Sequence, residues 1–257
     1  MTDTAGDVSV LCVVGAVEGV TQLHDVVYIV HGLFSVLLMF NATTYQHVGF
    51  IHFKDSQWPR DIVACEQTSQ LYLADWMQHC IWRMSPGCVD KQRWLDIGGR
   101  CSLSVTSTRL LVTSHCDSKL LQLDAHGNRL RFFGVRGARH AVESPTGTFI
   151  VSRSNVTEVN TGGQVLREFS GSHVLFPSLF RTPHIAVDSH GNIFVADRDN
   201  HRILLLDSHL KLRRIIVDAD QLYYQQPLRL CYMEQSGQLL VGLYNGEVVV
   251  FDVLCIR

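Results

Sequence analysis

TPHIAVDSHGNIFVADRDNHRILLLDSHLKLRRIIV, residues 182–217, reads as one β-unit. Its apolar runs at 185–187, 193–196 and 203–206 are of strand length. The clusters between them, Asp188-Ser-His-Gly-Asn192 and Asp197-Arg-Asp-Asn-His201, are rich in residues that close hairpins. A fourth run, 212–217, completes an antiparallel meander.

Working outward, runs like 193–196 recur at 27–30, 71–74, 110–113, 149–152 and 239–242, with starts separated by 44, 39, 39, 44 and 46 residues. That period fits a four-stranded blade and excludes most helical repeats. Third-strand runs come next at 36–40, 81–84, 120–123, 156–159, 203–206 and 248–251. Outer-strand runs lie at 47–53, 93–97, 129–134, 164–169 and 212–217, and the sequence ends before a sixth. The β-branched run 8–14 has no partner in the first blade and supplies the missing strand, which removes exposed edges. The reading is therefore all-β: one domain over 1–257, a six-bladed β-propeller of four-stranded antiparallel blades, its ring closed by the N-terminal strand.

The 182–217 unit resembles an NHL repeat, with Pro183, His190-Gly-Asn192, Val195-Ala-Asp197, Asn200, Arg202 and Ile203 in that family's order. Residues 59–97 resemble it less: Leu71-Tyr-Leu-Ala-Asp75 and Ile81 are kept, but Trp76-Met-Gln-His-Cys80 stands where the family has a short polar turn. The resemblance implies an interaction domain of the kind that ends longer chains such as tripartite-motif ubiquitin ligases, where it chooses the target. Some NHL domains bind single-stranded RNA. Neighbouring lactonase-like and amidating-lyase-like propellers are metal enzymes. Asp197 and Asn200 are expected to stabilise their turn.

With 46% hydrophobic and 18% charged residues the chain can bury a sizeable core. The N-terminal MTDTAGDVSV lacks the basic and apolar regions of a secretory leader. The apolar stretch 26–40 is too short to span a bilayer, and His31-Gly32 splits it into a buried hairpin. Eight cysteines are scattered without a Cys-x-x-Cys pair, which favours free thiols in a reducing compartment, although Asn41-Ala-Thr and Asn155-Val-Thr have the form of glycosylation sequons. The expected location is cytoplasmic, away from membranes, and the expected state is monomeric.

Catalytic signatures are missing from the sequence: it has no Gly-x-Ser-x-Gly elbow, P-loop or Gly-x-Gly-x-x-Gly. Thirteen histidines form no ligand pattern for zinc. Around the innermost strands only Asp61, Ser104, Glu143, Asp188 and Arg229 are polar and conspicuous, too few carboxylates for an oxygen-ligand metal site. No catalytic residue, metal or cofactor is expected, and the chain is read as a non-enzyme, with a lactonase- or lyase-like propeller enzyme as the lesser alternative that the resemblance brings in.

Charge is unevenly spread: residues 1–75 sum to −6, 76–217 to +7 and 218–257 to −3. In a propeller the turns between second and third strands and the links between blades share one face. That face is expected to gather Lys119, Arg136, Arg139, His140, Arg153, His173, Arg181, Arg198 and Arg202. It is the candidate surface for a protein or peptide partner, or alternatively for single-stranded RNA.

Overall fold

The computed structural model describes residues 9–12, 15–32, 36–53, 58–87, 90–106, 109–169 and 184–253. They form six antiparallel sheets of four strands each, arranged in a ring. The first strand, β1 (Ser9–Cys12), belongs to the last blade. Blade one is β2 (Val17–Leu23), β3 (Val26–His31), β4 (Val36–Asn41) and β5 (His47–His52). Blade two is β6 (Pro59–Cys65), β7 (Gln70–Asp75), β8 (Cys80–Met84) and β9 (Gln92–Asp96). Blade three is β10 (Cys101–Thr106), β11 (Arg109–Ser114), β12 (Lys119–Leu123) and β13 (Arg129–Gly134). Blade four is β14 (His140–Glu143), β15 (Phe149–Ser152), β16 (Val156–Val159) and β17 (Val165–Phe169). Blade five is β18 (Ile185–Val187), β19 (Ile193–Asp197), β20 (Arg202–Leu206) and β21 (Leu212–Val217), and blade six is β22 (Pro227–Met233), β23 (Gln238–Leu243) and β24 (Glu247–Asp252) with β1 outermost.

Second strands are apolar along their length because both of their faces are covered. In β19, Phe194 and Ala196 pack against Leu230, Leu239 and Val241 of blade six. Ile193 and Val195 point the other way, onto Ile150 and Val156 of blade four. Similar clusters fill the remaining junctions, so the core is divided among the seams between blades.

Ring closure has the pairing expected from the sequence: Ser9 lies opposite Val250, Val10 opposite Val249, Leu11 opposite Val248 and Cys12 opposite Glu247. Residues 8, 13 and 14 of the expected strand lie outside the described residues. Blades six and one meet closely at this seam. A Cβ on Gly242 would come within 2.4 Å of Val17 Cγ1, so only glycine admits the approach.

Candidate functional site

Each innermost strand begins on the loop face and runs along the axis, so one position per blade forms a ring. Opposite Val30, Ala74, Thr113, Ser152 and Gly242 of the second strands stand Gly19, Asp61, Ser102, His140 and Arg229. His184, whose carbonyl accepts from Ala196 N at 3.1 Å, completes the set.

Most of these side chains bond across a blade seam. Asp61 Oδ2 accepts from Leu103 N at 2.9 Å, and His140 Nε2 lies 3.0 Å from Leu103 O. His140 Nδ1 accepts from Ile185 N at 3.4 Å and His184 Nδ1 from Leu230 N at 3.3 Å. Arg229 donates to Glu18 O and, at 3.1 Å, to Arg60 O, with Asp61 Oδ1 3.9 Å away. Its guanidinium thus extends to the sector where blade one has only Gly19.

Charge in the ring is set by burial. Desolvation pushes His140 down to about 3 and holds His184 well below the ordinary histidine value. Both are neutral, and their rings stack at 3.8 Å. Since each Nδ1 accepts, each proton sits on Nε2. Burial raises Asp61 to about 6, with Arg229 opposing. Below the ring the axis holds a cavity of about 570 Å³ lined by all six innermost strands. At its far end Glu143 accepts from Gln122 at 2.7 Å, and Asp188 is tied to Asn192 at 2.7 Å. Among the described residues no three His, Cys, Asp or Glu side chains are grouped as a metal requires. The ring's hydrogen bonds go mainly to joining blades.

The loop face around the axis has a different character. Arg60 lies 5.0 Å from the ring centre of Trp58 and 5.8 Å from that of Trp76, while Arg100 lies 5.1 Å from Trp76 on behalf of blade three. Trp76 Nε1 donates to Cys101 O at 3.0 Å, and its ring meets His115 edge-on at 5.8 Å. The result is an alternating Trp58–Arg60–Trp76–Arg100 ladder, anchored where Arg60 pairs with Glu18. Each cation–π step contributes about 0.5–1 kcal/mol at such exposure. Beside it Met77 is 64% exposed, and across the face Tyr223, Tyr224 and Tyr244 are exposed, with Arg198 5.8 Å from the Tyr244 ring centre.

The residues expected on this face divide. Arg136 and Arg139 are exposed in the link before blade four, and Lys119 is exposed with Asp117 4.0 Å away. Arg153 is half-buried, donating to Thr157 Oγ1 at 2.8 Å and to Arg136 O at 3.5 Å. Arg198 donates to Gln226 Oε1 at 3.0 Å. Two members do not belong to the exposed surface. His140 opens an innermost strand and is buried at the axis, and Arg202, first in β20, is buried against Asp197 at 2.7 Å. Arg181 and His173 lie outside the described residues. Asn200 Nδ2 reaches both Asp197 carboxylate oxygens at 2.9 Å.

Sequence reasoning missed Trp58, Arg60, Met77 and Arg100 as site residues. The signal was present at Trp76-Met77, two large apolar residues in a turn that the repeat keeps polar.

A family profile for the NHL repeat matches residues 181–204. No curated protein matches the chain. Among solved structures the chain is similar to hydrazine synthase of Kuenenia stuttgartiensis, at 14% identity and a TM-score of 0.63, over 90% of this chain and 82% of that one. At that identity the likeness is one of fold.

Proposed function

Taking as premise that this chain is an NHL-repeat propeller, we propose that it is a non-enzymatic interaction domain whose loop face binds a protein or peptide bearing acidic groups. The observation that carries this reading is the Trp58–Arg60–Trp76–Arg100 ladder with exposed Met77 beside it. Tryptophan, tyrosine, arginine and methionine are the residues enriched at protein interfaces, and a few aromatic and arginine anchors supply most of the binding energy there. Arg100, Arg136 and Arg139 add positive charge on the same face, which favours acidic partners and speeds encounter. The axial ring is spent on joining blades, so it offers little to a reacting substrate.

Affinity capture with the intact chain, and then binding measurements on the captured protein, test this. Trp58→Ala with Met77→Ala is expected to weaken binding by about 30-fold or more, as loss of a hot spot of about 2 kcal/mol does. Arg136→Glu with Arg139→Glu is expected to weaken it in a salt-sensitive way. Undiminished binding by Trp58→Ala/Met77→Ala overturns the assignment of the face. Competition by single-stranded RNA with steep salt dependence replaces the protein reading with an RNA one.

A further inference from the structure

The innermost strands run from the loop face to the opposite end of the axis, and four of them finish at a carboxylate. Glu66 and Glu234 directly follow β6 and β22, Glu143 is the last residue of β14, and Asp188 follows β18. All four line the axial cavity of about 570 Å³, and no Lys or Arg lines it. Among the described residues the one cation paired with any of them is Arg109, 3.7 Å from Glu143. Arg229 of the ring is engaged by Asp61, Glu18 O and Arg60 O. Half-buried Val63, Val105, Val142, Ala186 and Tyr232 supply apolar wall. At the inner end His184 has a donor to spare. It lines the cavity and is 8% exposed. Its Nδ1 accepts from Leu230 N, so Nε2 carries the proton of the neutral ring. The partner that His140 Nε2 finds in Leu103 O corresponds, one blade on, to Ala141 O, and that carbonyl already accepts from Ser104 Oγ at 2.7 Å. Among the described residues His184 Nε2 donates to none. A buried N–H without an acceptor is costly, and the cost is recovered when a ligand supplies one.

We infer that this end of the axis binds a small organic amine with an apolar body and an acceptor oxygen. The ammonium sits among Glu66, Glu143, Asp188 and Glu234, the body lies against the apolar wall, and the oxygen accepts from His184 Nε2–H at depth. An anion is refused, because carboxylates lining a low-dielectric cleft focus a negative potential there. A metal ion needs several ligands in one cluster, and among the described residues no three His, Cys, Asp or Glu side chains form one. An ammonium on an organic body needs only carboxylates spread round the mouth. The volume suits a small ligand, and apolar walls with a few placed polar groups are the usual lining of such sites. The order of the groups selects a free molecule. A lysine or arginine side chain of a protein partner would enter charge first and set its cation against the His184 N–H, whereas here the negative groups are at the mouth and the donor is inside. The mouth lies on the face opposite the Trp58–Arg60–Trp76–Arg100 ladder, so the inference stands apart from the proposed function.

Calorimetric titration of the intact chain with three probes is the test: tyramine, phenethylamine, which lacks the phenol oxygen, and 4-hydroxyphenylacetate, which carries a carboxylate in place of the ammonium. Tyramine is expected to saturate a single site with a Kd of about 1 mM or tighter, as a ligand of its size does in a fitted pocket. Phenethylamine is expected to bind about fivefold or more weakly, because the His184 N–H stays unpaired. No binding of 4-hydroxyphenylacetate is expected. His184→Asn keeps an acceptor for Leu230 N but removes the Nε2–H, and is expected to erase the difference between the two amines. Glu143→Gln with Glu234→Gln is expected to weaken tyramine binding by about tenfold and to lower its salt dependence. Absence of saturation by tyramine at about 10 mM overturns the inference. So does equal binding of 4-hydroxyphenylacetate, a tyramine affinity untouched by the glutamine pair, or a difference between the amines that persists in His184→Asn. The three-probe comparison uses the unmodified chain and holds even where a variant misfolds.

Discussion

Blades two and five end their second strands alike and then part. Asp75-Trp-Met-Gln-His-Cys80 and Asp197-Arg-Asp-Asn-His-Arg202 align residue for residue, and each turn closes on a histidine in the left-handed region, His79 at φ 51° and His201 at φ 52°. Both aspartates are buried. Asp197 satisfies its carboxylate with Asn200 and Arg202, side chains of its own turn. In blade two Cys80 replaces the arginine, and burial pushes its thiol up to about 11, so it stays neutral. Asp75 instead accepts from the backbone N–H of Met77 and Gln78, each at 3.0 Å, and from Trp82 Nε1 at 3.2 Å. The aspartate is the framework of the turn. The turn residues after it are free to vary, and in blade two that freedom places Trp76 and Met77 on the loop face.

The largest effect that would separate the two blades is on stability. Asp197→Ala removes the carboxylate buried against Arg202 and is expected to cost about 3–5 kcal/mol. Asp75→Ala strands only neutral donors and is expected to cost about 1–3 kcal/mol. Urea unfolding of both variants gives the comparison, and equal losses would mean that the Arg202 pair adds nothing to the turn.

A second contrast lies at the axis, where blade two contributes Asp61 and blade five His184. Because the folded histidine values are lowered, the stability from neutral His140 and His184 is present above about 6.5 and is lost as pH falls below it, for His140 toward about 3. Asp61 runs the other way. Its value is raised to about 6, so its contribution is fullest below 3.8 and declines as pH rises through 6. Stability measured from pH 3 to 8 is expected to fall on the acid side by a few kcal/mol. His184→Asn, which keeps an acceptor for Leu230 N, is expected to make that fall shallower, and Asp61→Asn, which removes the opposing contribution, to make it steeper between 4 and 6. A wild-type profile without acid-side loss would contradict the neutral pair.

The smallest expected stability effect sharpens the comparison most. Replacing Trp76-Met77 by the Arg-Asp of blade five is expected to change stability by only about 1 kcal/mol, since the turn geometry is shared. Partner binding is expected to be lost, as measured by the assay used for Trp58→Ala/Met77→Ala. A transplant that binds normally would detach function from this turn.

Much of the ring was legible from a single blade. The strands 129–134 and 212–217 have the bounds that the apolar rhythm predicts, and β1 pairs with β24 as the missing outer strand required. The basic face was legible only in part, because arginines in turns and at strand starts look alike in sequence. Arg136 and Arg139 are exposed, while Arg202 is drawn inward by an aspartate five residues earlier.

The sequence by itself determined the period, the alternation of apolar runs with turn residues and the need for an N-terminal strand, since these rest on local chemistry and strand count. The tertiary structure alone decided which polar residues meet across blades. Leu103 and Asp61, Arg229 and Glu18, and Trp58, Arg60, Trp76 and Arg100 are brought together by ring closure and by the common face of turns and links. The first two contacts and the step from Trp76 to Arg100 join residues of neighbouring blades, while Trp58, Arg60 and Trp76 meet within blade two. No local rule of propensity or spacing encodes them, because their geometry exists only once the apolar seams have set every blade against its neighbours.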